Sequence, residues 1–152
     1  MSNTVVKYNW AKLTHLQIGR YAEYYAMMEF TQYGYDVYSA EVDDKGIDFV
    51  IRKDGKYFDI QVKSKFKGDY IFFPKDNFKL RNNLFAAVVI FIQGKSPFLF
   101  LIPSNAWGNP ELPLVSRDYK GKKSAPEYGI NASIKNYPLL KKYSFEKTMA
   151  SF

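Results

Sequence analysis

Small and apolar side chains recur between residues 10 and 33, at Leu16, Gly19, Ala22, Ala26, Phe30 and Tyr33. This spacing is close to helical and predicts one long helix. Gly34 follows where a left-handed residue closes a helix. The period then changes. Tyr35 to Val42 predicts a strand, Asp43 to Gly46 a turn, and Ile47 to Arg52 a second strand. Lys53-Asp54-Gly55-Lys56 carries the Asp-Gly pair of a tight hairpin, and Tyr57 to Phe66 is the returning strand. Phe58, Ile60, Val62 and Phe66 point one way; Tyr57, Asp59, Gln61, Lys63 and Lys65 point the other. Taken alone, that alternation predicts a solvated polar face.

Tyr70 to Phe73 reads as another short strand, and Asp76 to Asn83 as an irregular basic connection. The unbroken apolar character of Phe85 to Gln93 predicts a buried strand. Lys95-Ser96-Pro97 turns the chain, and Phe98 to Ile102 runs back. Ser104, after Pro103, predicts a capped short helix through Trp107. Beyond Gly108 the periodicity fades among Pro110, Pro113, Pro126 and Pro138; only Tyr137 to Tyr143 suggests a helical turn. The expectation is an α/β fold with a mixed sheet of about five strands flanked by helices. It forms one domain over 1–152, with its core at about 14–105 and a loop-rich C-terminal extension at about 106–152 that wraps the sheet.

Composition narrows the chemistry. The chain has 152 residues, 47% hydrophobic, enough for a core and too apolar for disorder. With no cysteine, disulfides and thiolate metal sites are excluded. His15 is the single histidine, so histidine-rich zinc sites drop out as well. Any metal must be held mainly by oxygen, which favours magnesium, manganese or calcium. The first residues lack the apolar core of a signal peptide, and the longest apolar run, Leu84 to Ile92, is too short to span a bilayer. A soluble, cytoplasmic protein without a membrane role is expected. The net charge of +7 favours a polyanionic partner; the bland alternative is a solubilising surface.

A candidate site follows from position. Asp48 lies just inside a strand that follows a glycine turn, and Gln61 and Lys63 share one face of the next strand. The tight hairpin makes these strands neighbours. Glu23 sits mid-helix among Ala22, Tyr24, Tyr25 and Ala26, aimed either at a site or at solvent. Phosphodiester hydrolysis needs a divalent cation, and oxygen ligands suit one. Asp48 would be the central ligand, with the Gln61 side-chain oxygen and the Val62 carbonyl beside it. Lys63 would stabilise the phosphate or position the attacking water. Glu23 would bind metal through water or hold a second ion.

These residues resemble the PD-(D/E)xK, restriction-endonuclease-like superfamily, which includes Holliday-junction resolvases. The resemblance rests on Gly19-Arg20-Tyr21-Ala22-Glu23, Tyr33-Gly34-Tyr35-Asp36-Val37, Gly46-Ile47-Asp48, Gln61-Val62-Lys63 with Ser64, and Leu101-Ile102-Pro103, and covers about 14–105. It implies a divalent-metal-dependent DNA endonuclease of resolvase, repair or restriction type. Glu23, Asp48, Gln61 and Lys63 would be catalytic, and Mg2+ or Mn2+ would sit on Asp48, Gln61, Val62 and Glu23. Arg20, Lys53, Lys65 and Lys67 would contact nucleic acid. Pairing into a homodimer comes with the resemblance as analogy.

One position departs from the pattern. Gln61 stands where the superfamily has an acid, and a neutral amide lowers the charge offered to a metal. Asp59, on the same face, is a candidate to compensate, although a structural or surface role is the plainer reading. Two alternatives therefore stay open: a weak or inactive nucleic-acid-binding module of the same fold, and a protein-interaction domain. The chain also carries 13 tyrosines and 13 phenylalanines. Most are expected in the core; exposed rings would be free to stack on bases.

Overall fold

The computed structural model describes the backbone of residues 7–44 and 46–152 and the side chains of all of these except 41–44. A 3-10 turn at Trp10–Lys12 precedes α1 (His15–Gln32). The helix begins later than the apolar spacing predicts because Thr14 supplies a start signal. Its hydroxyl accepts the Gln17 N–H at 3.1 Å, while the Gln17 side chain accepts the Thr14 N–H at 2.8 Å, a reciprocal capping box. Leu16 is 83% exposed and Gly19 faces open space; Ile18 joins Ala22, Ala26 and Phe30 in the buried stripe instead. The helix ends as predicted. Gly34 has φ 85°, its N–H bonds the Thr31 carbonyl, and the Tyr35 N–H reaches back to the Phe30 carbonyl.

Strands β1 (Asp36–Asp44), β2 (Ile47–Lys53) and β3 (Lys56–Lys65) follow. The predicted Asp43–Gly46 turn lies partly outside the described residues, at Lys45; the backbone pairs Asp44 with Ile47 across it. The predicted Asp-Gly hairpin is present, with Lys53 opposite Lys56 and positive φ at both Asp54 and Gly55. Strand β4 (Tyr70–Pro74) leaves for a second sheet. The chain returns as β5 (Leu84–Ile90), whose seven residues are all buried, and β6 (Phe98–Pro103). The main sheet has five strands in the order β1-β2-β3-β5-β6. Only β3 and β5 run parallel within it, so the sheet is mixed and the α/β expectation is met.

Strands β7 (Leu114–Arg117) and β8 (Glu127–Asn131) complete a three-stranded sheet in the order β4-β8-β7, and two short helices, α2 (Tyr137–Leu140) and α3 (Phe145–Met149), come after them. Local propensity is weak there. Pairing with the distant β4 and burial of Leu114 and Ile130 beside Phe73, Phe78 and Trp107 supply the stability instead. Ser104 is not a cap. Its hydroxyl accepts the Arg81 N–H and donates to the Arg81 carbonyl, which pins the irregular connection before β5.

Two layers cover the main sheet. On one face, Ala26 and Phe30 of α1 and Phe145 and Met149 of α3 pack on Phe49, Ile51, Ile60 and Leu101. On the other, the small sheet and Trp107 pack on Ala86, Val88 and Ile102. The face of β3 that alternation assigns to solvent therefore lies beneath a second layer. Among the described residues, no helix is long and apolar enough to cross a membrane.

Candidate active site

The site forms where strand pairing fails. The β2–β3 ladder runs from Lys53↔Lys56 to Phe49↔Ile60 and stops. On the opposite side of β2, the register with β1 shifts between Ser39 and Asp44. Asp48 occupies this stretch of β2. Its carboxylate accepts the Val62 N–H at 2.6 Å, taking over a backbone donor that β2 no longer pairs. The N–H and C=O of one strand residue leave on the same side. The Val62 carbonyl is thus directed into the same gap.

Gln61 is 6% exposed, and its Oε1 has no hydrogen-bond partner among the described residues. A buried, unpartnered amide oxygen costs roughly 1–3 kcal/mol. Gly46 makes room for this side chain. A Cβ at Gly46 would fall 3.1 Å from Gln61 Nε2 and 3.0 Å from the Asn77 carbonyl oxygen. Its φ of 78° independently favours glycine. Lys63, two residues on, is half-buried and extends toward β4; its Nζ lies 5.5 Å from the centre of the Phe73 ring.

Glu23 stands one residue from Ala22, which packs in the cluster that the Val62 side chain joins. Its carboxylate is about one-third exposed and pairs with Arg20 at 3.6 Å. So Asp48 and Val62 are joined by a hydrogen bond, Gln61 and Lys63 share their face of β3, and Glu23 is joined to its own helix. Asp59, the candidate compensating acid, is held by Arg81 at 2.7 Å and is structural. Among the described residues no three of His, Cys, Asp and Glu cluster as a metal site. Among the described residues, an ion here would draw on the Asp48 carboxylate, amide and carbonyl oxygens, and water.

The four basic positions fall in different settings. Lys65, expected to contact nucleic acid, is withdrawn from solvent at 8% exposure, and its ammonium donates to the Tyr137 hydroxyl at 2.7 Å. Lys53 donates to the Tyr33 carbonyl at 3.1 Å and so ties the hairpin to the negative end of α1. Arg20 and Lys67 are exposed. His15 is exposed at the start of α1, where it shares a cavity of about 270 Å³ with Ser64, Lys65 and Lys67. Sequence reasoning missed the fit of Gly46 to Gln61 and the approach of β4 to Lys63. The glycine turn was the available signal for the first; nothing local signalled the second.

No family model matches this chain, and no curated protein does. Solved structures resemble it, two nucleases among them. One is a Holliday junction resolvase from the archaeal hyperthermophile Archaeoglobus fulgidus, 15% identical, with a TM-score of 0.54 over 88% of this chain and 97% of that one. The other is a bacterial homing endonuclease, 14% identical, with a TM-score of 0.57 over 90% of this chain and 91% of that one. With its five-stranded mixed sheet between helical and β layers, the chain has the restriction-endonuclease-like fold.

Proposed function

We propose that this chain is a divalent-metal-dependent endonuclease that hydrolyses phosphodiester bonds in DNA. One observation carries the reading. The Asp48 carboxylate holds the Val62 N–H, and the residue before Val62, Gln61, carries a buried amide oxygen with no partner among the described residues. The fold and its two nuclease neighbours support the class of substrate.

The donor set fits a hard cation. Asp48, Gln61 Oε1 and the Val62 carbonyl are all oxygen donors and would hold magnesium or manganese together with water. When bound, the ion would offset phosphate charge and lower the pKa of a coordinated water. Glu23 would reach the site through water from α1. The remaining work falls to the chain itself. The Val62 N–H fixes the Asp48 carboxylate in orientation, Gly46 keeps Gln61 in place, and the Lys63 ammonium holds a phosphate oxygen or the attacking water. Arg20, Lys67 and the net positive charge would draw DNA in without reading its sequence. A homodimer would present one site to each strand.

The neutral amide at Gln61 favours a second reading, a nucleic-acid-binding module with weak or absent catalysis. A nicking assay with supercoiled plasmid and branched DNA, in magnesium and in manganese, separates the two. The nuclease reading expects metal-dependent cleavage that falls about a hundred- to a thousandfold in Asp48→Ala and Lys63→Ala. Salt-sensitive binding without cleavage of any substrate leaves only the second reading.

A further inference from the structure

Lys63 reaches β4. Its Nζ lies 5.5 Å from the centre of the Phe73 ring and 5.9 Å from that of Phe72. Phe73 is fully buried, whereas Phe72 is 51% exposed. Neighbouring strand residues face opposite ways, so Phe72 lies on the outer face of the small sheet. β4 is an edge strand of that sheet, and Lys63 stands beside it.

Tyr70 shares the outer face with Phe72. Its ring lies over Gly129, the cross-strand partner of Phe72, where any side chain would collide with it. The Arg117 guanidinium, on the far strand β7, stacks 4.6 Å above the Tyr70 ring. The outer face thus carries two aromatic rings set between two cations. Glu127 accepts the Tyr70 hydroxyl, and Asp118 accepts Lys75 at 2.7 Å, which holds its carboxyl below the usual range. Glu127 is also the cross-strand partner of Arg117, so Lys63 supplies the positive charge beside Phe72.

Resting on the nuclease reading of Asp48, Gln61 and Lys63, we propose that this face is a stacking platform for an unpaired base next to the phosphate held by Lys63. A phenyl ring has no donor or acceptor with which to read base edges; it offers only a π face, which any base can meet. In continuous duplex the base faces are covered by their neighbours, so a platform of this kind meets only a nucleotide outside the stack. Lys63 and Arg117 suit the phosphates on either side of such a base. The substrate class is therefore DNA with single-stranded or unstacked nucleotides at the cleavage point, such as a flap or a junction, in preference to continuous duplex.

Binding in EDTA tests this without relying on cleavage. The probe is an oligonucleotide carrying 2-aminopurine, offered to the full chain as single strand, as flap and as matched duplex. Wild type quenches the fluorophore and binds single strand and flap more tightly than duplex. Phe72→Ala weakens single-strand binding about tenfold and leaves duplex binding unchanged. Phe72→Leu behaves like Phe72→Ala, because it restores apolar bulk without a π face, and Phe72→Trp restores both affinity and quenching. Absence of quenching with wild type overturns the platform. So does equal binding by Phe72→Ala or Phe72→Leu, or a loss shared by duplex. Quenching with no cleavage in any metal would sink the nuclease reading and keep the platform; cleavage with an inert Phe72 would do the reverse.

Discussion

Gln61 and Lys65 lie on one face of one strand, four residues apart in sequence, and both are buried. Lys65 has a partner: its ammonium meets the Tyr137 hydroxyl and lies over that ring. Gln61 has an oxygen without one among the described residues. The other two buried polar side chains described, Ser104 and Thr148, are also hydrogen-bonded, to Arg81 and to the Leu101 carbonyl. Burial of a polar group is tolerated where the fold satisfies it. Lys65 is accounted for by structure alone, whereas the Gln61 oxygen is the acceptor to which the proposed function assigns a cation. The contrast separates a satisfied lysine from an unsatisfied amide, although the two look alike in the alternating sequence.

Substitution at each position sharpens this contrast. The larger effect on folding is expected at Lys65. Lys65→Ala removes a packed stem and leaves the Tyr137 hydroxyl without its donor, for a loss of about 1–3 kcal/mol. Urea denaturation followed by fluorescence reads it directly, and a loss near zero would show that Lys65 is no structural tie. The smaller effect is expected at Gln61. Gln61→Leu replaces an unsatisfied amide by an apolar side chain of similar size, so stability without metal stays level or rises by up to about 1 kcal/mol. Should Gln61→Leu unfold as readily as Lys65→Ala, the amide is part of the structure and the comparison collapses.

What could be read in the sequence was local. The Asp54-Gly55 hairpin and the Gly34 helix end follow from backbone chirality, and β5 follows from its unbroken apolar run. The resemblance named Asp48, Gln61 and Lys63 through their order along the chain. What could not be read was distant. Tyr137 lies 72 residues beyond Lys65, so no local pattern says that this lysine is buried. β7 and β8 hold few strand-forming residues and exist because β4 pairs with them. Ser104 looks like a cap until Arg81 claims its hydroxyl. Leu16 fits the helical spacing as well as Ile18 does, and only the packing of α1 on the sheet decides between them.

Calorimetric titration of Mn2+ into the metal-free chain tests the central claim, that Asp48 and Gln61 hold a divalent cation, most directly. The account predicts a bound ion in wild type, no binding in Asp48→Asn, binding about tenfold weaker in Gln61→Leu, and binding about tenfold tighter in Gln61→Glu, where a carboxylate replaces the amide. An affinity that is the same in all four proteins, or no binding by wild type and by Gln61→Glu alike, would contradict it.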